Sequence, residues 1–71
     1  MTASPPIANF IRRLRFEQGE MTQAELGAMI GMTRQTVAAI EQGRYSPSLE
    51  AAFRIAAAFG ASLDQVFRWD G

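Results

Sequence analysis

The 71-residue sequence contains no cysteine and no histidine. Without cysteine there can be no disulfide framework and no thiol nucleophile, and the usual zinc ligands are missing. Neither a metal site nor a cofactor is therefore expected. An enzyme is also a poor interpretation, because the sequence has no glycine-rich loop that would hold a phosphate, and its only aspartates are Asp64 and Asp70.

The sequence also lacks any uninterrupted apolar run close to the roughly 18 to 20 residues that cross a bilayer. Its first ten residues, MTASPPIANF, show no basic segment followed by an apolar run, so no secretory signal is expected. These features predict a cytoplasmic protein with no membrane partner. The length predicts one domain over residues 1–71, near the lower limit for a core without cross-links.

The formal net charge is zero, because seven arginines balance five glutamates and two aspartates. A neutral chain argues mildly against a polyanionic partner, for which a basic domain is the stronger expectation. All of the basic side chains are arginines, however, and arginine can form paired hydrogen bonds with phosphates and bases. If few phosphates are contacted by each subunit, affinity must come from base contacts and from pairing two subunits.

Residues 21–43, MTQAELGAMIGMTRQTVAAIEQG, contain two short helical patterns separated by a glycine-centred break. Thr22 and Glu25 have the spacing of a capping box, which predicts that a helix begins directly after Thr22. Gly31 is placed to end this helix in a left-handed conformation, and Thr33 is placed to cap the next one. Two helices joined by a short turn with glycine are typical of a helix-turn-helix.

The second of these helices, residues 34–42, has two different faces. At about 100° per residue, Val37 and Ile40 fall on one side, whereas Gln35 and Ala39 lie opposite, with Arg34 flanking them. Arginine can pair with guanine, glutamine with adenine, and alanine can touch the thymine methyl group. These residues are also ordinary on a solvated helix face, so the face alone leaves both interpretations open.

The stretch TQAELGAMIGMTRQTVAAIEQGRYSPSLEAAFRIAAAFGASLDQVF resembles the helix-turn-helix domain of the Cro and phage-repressor type, the XRE family, and especially its small stand-alone regulators. The resemblance implies an all-α, five-helix repressor-like fold with the helix-turn-helix at helices two and three. It also implies a sequence-specific regulator of transcription that binds double-stranded DNA, probes the major groove with the helix from Arg34 to Gln42, and acts as a repressor.

The resemblance assigns roles to individual residues, and the loop that follows adds two more. It places Thr22 and Gln23 at phosphates, Thr33, Arg34, Gln35 and Thr36 at the entry to the groove, and Ala39 facing the bases. Arg44 and Tyr45 can donate to phosphate oxygens, although the Tyr45 ring could instead cover the core edge. The resemblance also makes Arg15 and Glu41 an ion pair, the alternative being that both are solvated. Glu20 and Met21 lengthen the first turn by one residue relative to the commonest family pattern.

The flanking segments complete the expected helices. The first helix is expected to begin at Pro5 or slightly later, with Ser4 as its cap, after a disordered start over residues 1–4. Its buried stripe should comprise Ile7, Phe10, Ile11 and Leu14. The fourth helix, about Ser48 to Phe59, should bury an arc that includes Leu49 and Phe53, and the fifth, opened by Ser62 and Gln65, should contain Leu63, Val66 and Phe67.

The chain ends in an aromatic tail, residues 68–71, which holds the single tryptophan. Phe67 and Trp69 are candidate contacts of a homodimer, although Trp69 could equally fold back onto the fifth helix. A homodimer would read two half-sites one helical turn apart. A protein-interaction module, such as the antitoxin that neutralises a toxin, is the alternative function, and family members that look like this combine both activities.

Overall fold

The computed structural model describes residues 6–71. These residues form, in order, β1 (Ile7–Asn9), α1 (Ile11–Glu17), α2 (Gln23–Ile30), α3 (Arg34–Glu41), α4 (Leu49–Ala58), α5 (Leu63–Val66) and β2 (Phe67–Trp69). The predicted five-helix fold is confirmed, with the addition of one antiparallel pair of short strands. Within residues 6–71, no helix has both the length and the hydrophobicity needed to cross a membrane.

One aliphatic residue from each helix is almost completely buried at the centre of the fold. These residues are Ile11, Leu26, Val37, Ile55 and Val66, each no more than 1% exposed. Burying such a side chain stabilises the folded state by about 1.5 to 3 kcal/mol. The five short helices are therefore held by one shared core.

The predicted start of the first helix is wrong. The helix begins at Ile11, and residues 7–9 form β1, which pairs with β2 so that Ile7 lies opposite Trp69. The Phe10 amide donates to the Val66 carbonyl oxygen at 2.8 Å, and the Asn9 side chain accepts from the Ile11 amide at 3.2 Å. Pairing with the far end of the chain thus overrides the local helical pattern. The expectations for residues 1–4 and Pro5 lie outside the described residues.

Two further details of the predicted helices are corrected. Phe67 is not in the fifth helix: its amide donates to the Leu63 carbonyl oxygen as the C-cap of α5, and its extended backbone begins β2 opposite Asn9. On α4, Ile55 is buried as expected, but Leu49 is 67% exposed and Phe53 is 54% exposed, because no element of the described chain covers that side of the helix. The apolar arc of α4 is therefore only partly buried.

Candidate nucleic-acid interface

The turn between α2 and α3 depends on two glycines. Gly31 ends α2 with φ = 75°, in the left-handed region that glycine adopts without strain. A methyl group built on Gly27 would lie 2.5 Å from the Met32 carbonyl oxygen, closer than van der Waals contact allows. The chain can therefore turn back tightly against α2, which brings the start of α3 to the surface.

The two faces of α3 are divided as the helical pattern predicts. Val37 is 1% exposed and Ile40 is 2% exposed, and both pack in the core. Arg34 and Gln35 are exposed at the start of the helix, and Ala39 is half-buried. Burial of the apolar side thus fixes which side chains α3 presents outward.

A threonine cap defines the first turn of α3. The Thr33 hydroxyl oxygen accepts from the Thr36 amide at 3.1 Å and lies 3.0 Å from the Thr36 hydroxyl oxygen. This cap satisfies one of the free amides at the helix start and holds Arg34 and Gln35 on a regular helical turn.

Four of the predicted contact residues meet at one open depression. It is lined by Gln35, Thr36, Ala39 and Tyr45. The loop after α3 is tied to the helix because the Arg44 amide donates to the Ala39 carbonyl oxygen at 3.0 Å. Tyr45 is 48% exposed and also borders the small cavity next to Ile40 and Phe67, so one ring lines the depression and covers the edge of the core.

The C-terminal end of α3 is held by two buried or half-buried partners. Arg15 Nε lies 2.7 Å from Glu41 Oε2 and Arg15 Nη2 lies 3.0 Å from Glu41 Oε1, with both side chains at most 10% exposed. A third guanidinium hydrogen bond goes to the Met21 carbonyl oxygen at 2.8 Å. These hydrogen bonds join three parts of the chain: α1, the turn that precedes α2, and the last turn of α3.

Sequence reasoning missed the second partner, Asn9. Its side-chain nitrogen donates to the Ile40 carbonyl oxygen at 3.0 Å, so that it caps the end of α3 from β1. The available signal was an asparagine two residues before a helix, where its oxygen accepts from the Ile11 amide. That signal predicts the hydrogen bond with the nearby Ile11 amide, but it does not predict the hydrogen bond to the distant Ile40 carbonyl oxygen.

Thr22 and Gln23 lie at the start of α2, beside the end of α3. Thr22 and Glu25 form the predicted capping box, with distances of 2.8 Å from the Thr22 amide to Glu25 Oε1 and 3.0 Å from the Glu25 amide to Thr22 Oγ1. The hydrogen bond from the Thr22 backbone lowers the pKa of the Glu25 carboxyl. Gln23 reaches Glu41 Oε1 at 3.4 Å. Gln23 thus contacts the last residue of α3, at the end from which the loop with Arg44 and Tyr45 continues.

The local charge of this surface differs from the net charge of the chain. Residues 22–45, which span the predicted contacts, contain Arg34, Arg44 and two acidic residues, Glu25 and Glu41. Glu41 is buried against Arg15, whereas neither Arg34 nor Arg44 forms an ion pair within the described part of the chain. The exposed side chains of this segment therefore carry a net positive charge, although the net charge of the whole chain is zero.

The remaining candidates lie elsewhere. Phe67 and Trp69 are on β2, and Trp69 does not fold back onto α5 but stays 70% exposed. In residues 6–71, no three acidic, histidine or cysteine side chains converge as metal ligands would. Neither finding adds a residue to the surface around α3.

Comparison with known proteins identifies the family. A helix-turn-helix family model matches residues 11–66. An HTH-type transcriptional regulator of Methanothermobacter thermautotrophicus is 51% identical over 61 residues, covering 84% of this chain and 87% of the relative. The HTH-type transcriptional regulator YgzD of Bacillus subtilis is 48% identical over 59 residues, covering 83% and 88%.

Solved structures share the same fold. The hypothetical transcription factor NHTF from Neisseria superposes with a TM-score of 0.72 at 33% identity, over 78% of this chain and 61% of that one. Hydroxypropylphosphonic acid epoxidase from S. wedmorenis matches with a TM-score of 0.68 at 33% identity, but this chain spans only 36% of its length. With the family model covering most of the sequence, the chain belongs to the XRE-type helix-turn-helix family of DNA-binding transcriptional regulators.

Proposed function

We propose that this chain is a sequence-specific repressor that reads double-stranded DNA by inserting α3 into the major groove. The observation that carries the proposal is the division of α3, which buries Val37 and Ile40 and leaves Arg34 and Gln35 exposed at its start. An eight-residue helix is about 12 Å long, and the major groove is about 12 Å wide. The exposed end of α3 therefore fits against a short run of base edges.

Three side chains of α3 would read bases. The Arg34 guanidinium can donate two hydrogen bonds to guanine, and the Gln35 amide can both donate to and accept from adenine. Ala39 is small and lines the same depression as Gln35, so a thymine methyl group can approach it closely. These contacts would supply sequence preference, because each discriminates one base pair from the others.

The phosphate contacts would come from residues around this helix. Arg44 carries an unpaired charge among the described residues, and the exposed Tyr45 hydroxyl can donate beside it. Thr22 accepts from the Glu25 amide, which leaves its hydroxyl hydrogen available for a phosphate oxygen. Gln23, Thr33 and Thr36 complete this set, which would orient the protein without reading sequence.

The end of α3 is held by side chains from two other parts of the fold. Arg15 and Asn9 hold its last turn through Glu41 and the Ile40 carbonyl oxygen. A helix that is already fixed pays little ordering entropy on binding, which supports a direct reading role. Two copies acting on half-sites about 34 Å apart would make up for the few phosphates that each copy contacts. Occupancy of promoter DNA by such a pair would block transcription.

The test is selection of bound duplexes from a random pool with the wild type and with the double variant Arg34→Ala/Gln35→Ala. Arg12→Ala, which removes an exposed arginine of α1, is the matched control. We expect a two-fold symmetric motif for the wild type and the control, and loss of that motif for the double variant. Fusion of the selected site to a reporter promoter should then give lower expression when the protein is present.

Selection of the same motif by the double variant would refute base reading by α3. Increased reporter expression would refute the repressor assignment while leaving DNA reading intact.

A further inference from the structure

The loop that carries Arg44 and Tyr45 leaves α3 through a tight turn with two backbone hydrogen bonds. The Gly43 amide donates to the Ile40 carbonyl oxygen at 3.0 Å, and the Arg44 amide donates to the Ala39 carbonyl oxygen at 3.0 Å. Gly43 lies in the left-handed region with φ = 74°. These two hydrogen bonds around a left-handed glycine form a Schellman motif, a common end of a helix. The direction in which Arg44 and Tyr45 leave α3 is therefore set by this turn.

One side chain from outside the turn shares an acceptor with it. Asn9 Nδ2 donates to the same Ile40 carbonyl oxygen at 3.0 Å and lies 3.5 Å from the Glu41 carbonyl oxygen. A carbonyl oxygen has two lone pairs, so the Ile40 oxygen can accept from the Gly43 amide and from Asn9 together. Asn9 thus adds to the turn a hydrogen bond that α3 cannot supply itself.

Asn9 is itself held on two sides. Its side-chain oxygen accepts from the Ile11 amide at 3.2 Å, at the start of α1. Its backbone lies opposite Phe67 in the two-stranded sheet, and the next amide, that of Phe10, donates to the Val66 carbonyl oxygen at 2.8 Å. The Asn9 amide group therefore reaches the turn from a strand that is anchored elsewhere in the fold.

The sheet and the loop also pack together. Asn9, Ile7 and Phe67 border the small cavity beneath the loop, together with Tyr45 and Pro47. Apolar packing of this kind holds the loop close but has no directional preference, whereas a hydrogen bond fixes the orientation of the groups that it joins. Among these contacts, the hydrogen bond of Asn9 is thus the one that can set the geometry of the turn.

We propose that Asn9 is a positioning residue for Arg44 and Tyr45, because its hydrogen bond to the Ile40 carbonyl oxygen holds the turn in the conformation that presents both side chains to phosphates. This role rests on the proposed function, since Asn9 would act on DNA binding without contacting DNA. Arg34 lies at the other end of α3, about 9 Å from Ile40 along the helix axis. Base reading should therefore not depend on Asn9.

Amide hydrogen exchange and DNA binding test this role with variants of the full chain. Asn9→Ser keeps a hydroxyl that can accept from the Ile11 amide, but it is too short to reach the Ile40 carbonyl oxygen. Gln18→Ala is the matched control, because Gln18 Nε2 also donates to a carbonyl oxygen at a helix end, that of Phe59 after α4, at 3.4 Å. Circular dichroism verifies folding, and Asn9→Thr, which has the same hydroxyl and favours strands, replaces Asn9→Ser if that variant does not fold.

Without DNA, the Gly43 and Arg44 amides should exchange about fivefold faster in Asn9→Ser than in the wild type, as expected when one neutral hydrogen bond is lost. Affinity for random duplex and for the selected site should fall alike, by up to about the same factor, because the turn must be ordered again on binding. Asn9→Ser should cause no further loss in an Arg44→Ala/Tyr45→Phe background, since it acts through those two side chains. Gln18→Ala should match the wild type in each measurement.

Unchanged exchange of the two amides in Asn9→Ser, unchanged affinity for random duplex, or equal changes in Gln18→Ala would overturn the proposal. So would a loss of affinity that persists in full in the Arg44→Ala/Tyr45→Phe background. A wild type that binds no duplex would instead remove the proposed function, and the exchange of the Gly43 and Arg44 amides would then decide by itself whether Asn9 holds the turn.

Discussion

The Arg15 guanidinium and the Glu41 carboxylate form a buried, bidentate ion pair that joins α1 to the last turn of α3, with Nε and Oε2 2.7 Å apart. Removing one partner leaves the other charge buried at the edge of the core without a counter-ion, which lowers stability by about 3 to 5 kcal/mol. Glu41→Leu should therefore lower the free energy of unfolding by this amount in urea titration.

The double variant Arg15→Met/Glu41→Leu should regain most of the loss, because neither charge is then left unpaired. Glu17→Gln is the control, since it breaks the exposed pair with Arg13 at 3.9 Å and should change stability by less than about 1 kcal/mol. Equal losses for Glu41→Leu and Glu17→Gln would contradict the buried role of the pair.

Gly27→Ala should destabilise the fold although alanine favours helices. The added methyl group would lie 2.5 Å from the Met32 carbonyl oxygen in the turn, so the backbone between α2 and α3 must shift. Overpacking of this kind costs about 1 to 3 kcal/mol. Thermal unfolding measures the loss. Ala28→Ser adds one atom at an exposed position of the same helix and should have little effect; an unchanged melting temperature for Gly27→Ala would show that the turn is not tightly packed.

Glu20→Gly should stabilise the protein. Glu20 has φ = 60°, a left-handed conformation that costs a residue with a side chain about 1 to 2 kcal/mol. Glycine removes this strain and adds chain entropy to the unfolded state, so a net gain of about 0.5 to 1 kcal/mol is expected in urea titration. Arg13→Gly, at an exposed position inside α1, should instead lose about 1 kcal/mol. A loss at both positions would contradict the strain at Glu20.

Glu25 should make stability depend on acid pH. Its pKa is lowered below the ordinary value of 4.5 by the hydrogen bond from the Thr22 backbone, so the unfolded chain binds the proton more tightly than the folded one. The stabilisation is complete above pH 4.5 and is lost as pH falls through the lowered folded pKa. The difference in unfolding free energy between the wild type and Glu25→Gln should shrink over that range. Urea titrations of both proteins over a series of acidic pH values measure this difference, and a difference that stays constant with pH would contradict the capping role of Glu25.

Single alanine variants should separate base contacts from phosphate contacts. Arg34→Ala or Gln35→Ala should weaken binding to the selected site by about 1 to 3 kcal/mol and relax the preference at one base position. Arg44→Ala should weaken binding to all duplexes alike and reduce the dependence of log K on log salt by about 1. Fluorescence anisotropy on specific and random duplexes, over a series of salt concentrations, gives both quantities. Equal losses for Arg34→Ala on both duplexes would assign that residue to phosphates.

The helix-turn-helix itself was predictable because its signals are local. The Thr22 and Glu25 capping box, the left-handed Gly31 and the Thr33 cap each depend on residues within one or two turns of the chain. The inward face of α3 follows from the spacing of Val37 and Ile40 alone. Such short-range rules of capping and periodicity need no knowledge of the remaining fold.

The sequence by itself therefore determined the five helices and the outward face of α3. Only the tertiary structure decided that Ile7 pairs with Trp69, that Asn9 caps the end of α3, and that Leu49 is left uncovered on α4. Each of these features depends on which element, distant in the sequence, packs close by in the fold. A strand or an apolar face has no fixed partner until the core brings β1 and β2 together.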